Sequence, residues 1–119
     1  MIKTDILIIG AGPTGLFTVF EAGLLKMKCH ILDSLTQPGG QCIELYPKKP
    51  IYDIPGYPEI IAGDLIENLL EQIKPFQPSY TLGETALNLD RTVYLPWYHQ
   101  SLYDKFGPCA QHSLSLIHI

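Results

Sequence analysis

The chain has 119 residues, a formal charge of −4 and a 46% apolar composition. One domain of ordinary size fits that length, whereas two cofactor domains of about 100–200 residues each do not. The apolar share sits in the globular range of roughly 45–50%, and the single arginine, Arg91, leaves no electrostatic footprint for nucleic acid or an anionic membrane surface. Only 17% of residues are charged, below the usual ~25%, which suits a piece cut from a larger body.

Three cysteines, Cys29, Cys42 and Cys109, stand far apart with no CxxC pair. An odd count without a secretory signal points to free thiols in a reducing, cytoplasmic compartment. The apolar opening Ile6–Phe20 is shorter than the ~18 residues a membrane span needs, and Gly10, Gly12 and Pro13 interrupt it. A buried strand turning into a helix accounts for it.

In chain order, Asp5–Ile9 (DILII) reads as a strand of a parallel sheet buried on both faces. Gly10–Gly15 is a tight turn, and Pro13–Lys26 a helix whose Leu16, Val19, Phe20, Gly23 and Leu24 recur near a 3.6 period. Cys29–Leu32 is a second strand, closed by Asp33. The result is a strand–helix–strand crossover of about 30 residues, right-handed in nearly all known cases.

From Ser34 to Ala62 five prolines and three glycines break the pattern, yet Ile43, Leu45, Tyr46, Ile51, Tyr52, Ile54 and Tyr57 make it too apolar for a solvated linker. Loops longer than ~12–15 residues in a compact domain usually carry function, so this one is expected to form a ligand-covering wall. Asp64 with Glu67 reads as a capping box opening a helix to about Lys74, with Leu65, Ile66, Leu69, Leu70 and Ile73 as its buried stripe and Pro75 as its stop. Tyr80–Leu82 and Glu84–Leu89 read as short strands. Residues 90–113 show neither alternation nor helical period, and Leu114–Ile119 (LSLIHI) reads as the translation of a sequencing adapter, to be set aside from fold reasoning. The reading frame is expected to leave the native gene near residue 90.

Gly10-x-Gly12-x-x-Gly15 follows a strand and opens a helix, the context in which this motif binds a dinucleotide. Gly10 permits the sharp turn, Gly12 lets backbone approach a pyrophosphate held at the helix N-terminus, and Gly15 allows close helix–strand packing. Asp33, at the end of the second strand, is placed to accept a hydrogen bond from an adenosine ribose, and no arginine follows it to favour a 2′-phosphate. Gly39-Gly40-Gln41 then frees the backbone to run along an extended cofactor, with the Gln41 amide toward the flavin or ribityl end.

These strings, with Leu45-Tyr46-Pro47-Lys48 and Ile51-Tyr52-Asp53-Ile54-Pro55-Gly56-Tyr57-Pro58, closely resemble the ferredoxin–NADP reductases of thioredoxin-reductase type, in one register from about residue 4 to 89. The resemblance implies an α/β, Rossmann-like fold: residues 1–89 would be the incomplete first part of a doubly wound FAD-binding domain with a parallel sheet. It implies FAD along this domain, with Gly12 and Thr14 facing the pyrophosphate, Asp33 the ribose, Gln41 the flavin side, Tyr46 stacked on the isoalloxazine, and the backbone of Ala86 beside the adenine, Gly40 being among the cofactor-binding residues. In that family NADPH reduces the flavin, which passes electrons singly to ferredoxin or flavodoxin; a homodimeric parent is expected.

The family's second dinucleotide domain for NADPH and its C-terminal Gly-Asp segment do not appear here, so the 119-residue polypeptide is expected to lack reductase activity and to hold no catalytic residue of its own. The disulfide-bearing relatives carry a second cysteine five positions after the one at Cys42; Pro47 stands there, which leaves Cys42 a structural thiol. Cys109, His112 and His118 are too scattered for a zinc site, and no metal is expected. Two alternatives stay open: a thioredoxin reductase, and a non-catalytic module for ADP-containing dinucleotides.

Overall fold

The structure, a computed structural model, describes residues 1–89. The chain divides into two units, of which the first is Ile2–Thr85 and the second, among the described residues, holds Met1 and Ala86–Leu89. In the second unit, Ala86–Leu89 form no regular element. The expectations for residues 90–113 and 114–119, with Cys109, His112 and His118, lie outside the described residues.

In the first unit, strand β1 (Ile6–Ile9) leads through the glycine turn into helix α1 (Pro13–Leu24), and strand β2 (Cys29–Asp33) returns parallel to β1 with Ile8 opposite Ile31. Helix α1 starts where it does because Gly12 takes an extended N-cap conformation and Pro13 supplies a pre-set first helical φ. It ends in a Schellman arrangement: Met27 N–H donates to the Ala22 carbonyl and Lys26 N–H to that of Gly23, with Lys26 at φ +60°.

After β2 come the short helix α2 (Gln41–Glu44), a two-residue-per-strand antiparallel hairpin β3 (Pro50–Ile51) and β4 (Ile60–Ile61), helix α3 (Ala62–Ile73), a 3-10 turn at Lys74–Phe76 and strand β5 (Ser79–Leu82). Strand β5 lies parallel to β2, so the sheet order is β1-β2-β5. A single core joins Ile8 and Ile31 of the sheet to Leu16 and Val19 of α1 and to Leu65, Ile66, Leu69 and Ile73 of α3.

Several expectations change. Strand β1 is not buried on both faces: Ile8 faces the core, but Ile9 on the other side is 64% exposed, because β1 is the sheet edge among the described residues. The continuously buried strand is β2, which has a neighbour on each side. On α1, Ala22 is buried and Leu24 exposed, so the stripe is rotated from the expected one. Helix α3 begins two residues before Asp64, which sits in its first turn and makes no side-chain cap. Its leading N–H groups bond instead to backbone, Ala62 to the Lys49 carbonyl and Gly63 to the Pro47 carbonyl, each at 2.9 Å, and no capping box is needed.

The expected strand Glu84–Leu89 does not form. Gly83, at φ +77°, bends the chain after β5, and the N–H groups of Gly83 and Glu84 donate back to Leu35 and Asp33 rather than extending a ladder. Ala86 therefore lies in irregular chain and not on a strand. No helix among the described residues is long and apolar enough to cross a membrane.

Candidate dinucleotide-binding site

Three backbone segments meet at the C-terminal end of β1 and β2. Gly10, at φ +107°, turns the chain out of β1, and its N–H donates to the Leu32 carbonyl at 2.8 Å, prolonging the ladder by one residue. At the next residue the Asp33 carboxylate takes over: Oδ2 accepts the Ala11 N–H at 2.6 Å, while Oδ1 accepts the Leu35 N–H at 2.9 Å. The third segment is tied in through Gly39, whose N–H donates to the Ala11 carbonyl at 2.8 Å. Both polar groups of the Ala11 peptide unit are thus committed, one to the acid and one to the paired-glycine loop.

Asp33 is nearly buried yet hydrogen-bonded through both oxygens, which offsets the desolvation of its charge. Each carboxylate oxygen keeps a second lone pair for a hydroxyl donor. This carboxylate points at the glycine turn, the geometry on which dinucleotide binding depends.

The turn leaves space for a ligand. A Cβ built on Gly12 would meet nothing within 4 Å, whereas one on Gly15 would run into the Gly10 carbonyl. Gly12 thus opens the turn outward, and Gly15 lets helix and strand approach. Gly40, at φ +56°, sits close enough that its Cβ would lie 3.2 Å from the Gly12 Cα, so the second glycine loop flanks the first. Helix α1 has neither a side-chain cap nor an acidic residue in its first turn. Its first intrahelical-type bond is Leu16 N–H to the Gly12 carbonyl, so Thr14 and Gly15 present N–H groups with no helical acceptor at the positive end of the dipole. An anion is the natural complement of that end.

Beyond Gly40, Gln41 opens α2, and its Oε1 accepts the Tyr46 hydroxyl at 3.3 Å, so the structure brings these two expected residues together. Tyr46 is 40% exposed, its ring open to solvent on the surface of the wall. A cavity of about 520 Å³ opens between α1, α3 and the Ile54–Tyr57 turn, lined among others by Thr14, Phe17, Ile54, Tyr57 and Leu69. Phe17 was missed by the sequence reading. It falls off the buried stripe of α1, and an aromatic side chain in that off-stripe position is the sequence signal that points to it; the structure leaves it 45% exposed.

The two described cysteines are free thiols. Burial, and then the Asp5 charge, push the Cys29 thiol above its ordinary value, which makes it a poor nucleophile.

No protein-family model matches the chain. Over 91 residues it is 76% identical to ferredoxin–NADP reductase 1 of Christiangramia forsetii and, over the same length, 76% identical to the ferredoxin–NADP reductase of Flavobacterium psychrophilum. Across that stretch the chain is similar to the ferredoxin–NADP reductases. The matched stretch is 76% of this chain but 26% of either relative, so the chain spans about a quarter of their length. Among solved structures, the thioredoxin reductase of Lactococcus lactis superposes with a TM-score of 0.62 at 26% identity, over 76% of this chain and 28% of that one. The expected α/β, Rossmann-like architecture is therefore the fold of the described residues.

Proposed function

We propose that this chain binds FAD and that it is part of a cytoplasmic, homodimeric flavoprotein moving electrons between NADPH and ferredoxin or flavodoxin. One observation carries the reading: the Asp33 carboxylate, anchored 2.6 Å from the Ala11 N–H, stands at the mouth of a glycine turn that faces open space. In this reading Gly10, Gly12, Thr14 and Gly15 hold the pyrophosphate at the α1 N-terminus, Asp33 accepts from the ribose, Gly40 and Gln41 run beside the flavin end, and Tyr46 offers its ring to the isoalloxazine. Ala86 belongs to the adenine end by resemblance alone. When bound, the flavin supplies the chemistry, taking up two electrons together and releasing them one at a time. The protein groups orient it and set the polarity around it.

The 76% identity to ferredoxin–NADP reductases, against 26% to the thioredoxin reductase, supports the former as the parent activity.

Adding FAD to the purified chain tests the reading. The expected result is a red-shifted, fluorescence-quenched flavin. The Asp33→Asn variant should bind FAD about 10- to 100-fold more weakly, the loss of a charge-assisted hydrogen bond of roughly 1.5–3 kcal/mol. Binding of ADP with no change in the flavin spectrum would assign a plain nucleotide module instead, and failure to bind either would reject the site.

A further inference from the structure

The turn that follows α2 places a cation against the tyrosine of the wall. Tyr46-Pro47-Lys48-Lys49 is a β-turn closed by the Lys49 N–H donating to the Tyr46 carbonyl at 3.0 Å, with proline in the second position, which pre-sets that turn. The Lys49 carbonyl in turn accepts the Ala62 N–H at 2.9 Å, at the start of α3, and the Pro47 carbonyl accepts that of Gly63. Lys49 is therefore held by backbone bonds on both sides, and its ammonium stands 5.1 Å from the centroid of the Tyr46 ring, within cation–π range. The tyrosine is fixed at its other end by its hydroxyl donating to Gln41.

A ring has two faces, and a rigid turn that seats an ammonium over one leaves the other for an aromatic ligand. We propose that Lys49 is a positioning residue for the flavin: it caps one face of Tyr46, directs the isoalloxazine to the opposite face, and adds a positive charge behind the ring. The inference rests on the FAD reading above and on Tyr46 as the stacking group. The charge acts in two ways. It polarises the ring it covers, and it favours the electron-richer, reduced state of a flavin stacked on the far side. Both Lys49 and Tyr46 are solvent-exposed, so the effect belongs to the weak end of cation–π coupling.

The test uses the 119-residue chain with added FAD, reading the dissociation constant by flavin fluorescence and the midpoint potential of the bound flavin, with far-UV circular dichroism as the folding control. Lys49→Met keeps the alkyl stem and removes the cation; Lys49→Arg keeps the cation. Lys49→Met should weaken FAD binding about 2- to 5-fold, the fold-change equivalent of roughly 0.5–1 kcal/mol, and move the potential to a more negative value, while Lys49→Arg restores both. In a Tyr46→Leu background the Lys49→Met effect should disappear, since the lysine acts through the ring. Unchanged affinity and potential in Lys49→Met overturn the proposal. So does tighter binding, which would mean the ammonium blocks the face the flavin needs, and so does an effect that survives in Tyr46→Leu, which would mean direct contact with the cofactor. If the unsubstituted chain takes up no FAD, the flavin reading itself fails and this inference goes with it.

Discussion

The crossover from Ile6 to Asp33 and the wall from Ser34 to Ile61 are held by different forces. In the crossover, Ile8, Leu16, Val19, Ala22 and Ile31 interlock in the core, and β2 is buried along its whole length. In the wall, Ile60 is the one buried apolar residue, while Cys42, Ile43, Ile51 and Ile54 only pack against the core's edge. What holds the wall is backbone hydrogen bonding to other elements: Gly39 to Ala11, Ala62 to Lys49, Gly63 to Pro47. The crossover is a scaffold stabilised by burial. The wall is a surface pinned to it at a few points, which suits a segment whose apolar side chains wait for a ligand.

The largest expected effect separates the two regions directly. Ile31→Ala, at a fully buried site, should cost about 2–5 kcal/mol in urea denaturation, whereas Ile51→Ala in the half-buried wall should cost less than about 1.5 kcal/mol. Equal losses would break the contrast. Next, a Cβ at Gly23 would run into the Phe76 ring, which itself packs edge-on against Phe20. Gly23→Ala should therefore cost about 1–3 kcal/mol by overpacking, despite alanine's better helix propensity. A gain in stability would show that the 3-10 turn carrying Phe76 moves freely.

A smaller effect comes from the far face of the sheet. His30 is buried there, with Nδ1 2.7 Å from the Ser79 hydroxyl and Nε2 2.8 Å from that of Thr81, so it laces β2 to β5. Burial lowers its pKa below the ordinary 6.5. The folded chain then refuses a proton that the unfolded chain accepts, so this contribution to stability is complete above pH 6.5 and declines as pH falls from there toward the folded-state pKa. The slope from this one group cannot exceed about 1.4 kcal/mol per pH unit. Urea midpoints from pH 8 to 5 check it, and His30→Gln should flatten that part of the profile. An unchanged profile would assign the acid sensitivity to other groups.

Much of the scaffold was legible before any coordinates. The DILII run, the glycine spacing, Asp33 and the Leu65–Ile73 stripe each follow from a period or a local conformational demand, and all stand in the structure near their expected places. The failures fall where an element is very short or where the deciding contact is remote in the chain. Strands of two residues, such as Pro50–Ile51 and Ile60–Ile61, are too short to show alternation. Asp64 looked like a cap because local chemistry could not reveal that the turn at residues 46–49 would supply carbonyls to α3. His30 carries no local signal either, since its partners lie about fifty residues later.

The linear sequence therefore determined the crossover, the glycine turn and the acid that closes it, because burial periodicity and the φ requirements of glycine are properties of a residue and its near neighbours. Tertiary structure alone decided which strand is central, which carbonyls start α3, and which face of Tyr46 the Lys49 ammonium covers, because hydrogen bonds and charges reach their partners through space and not along the chain.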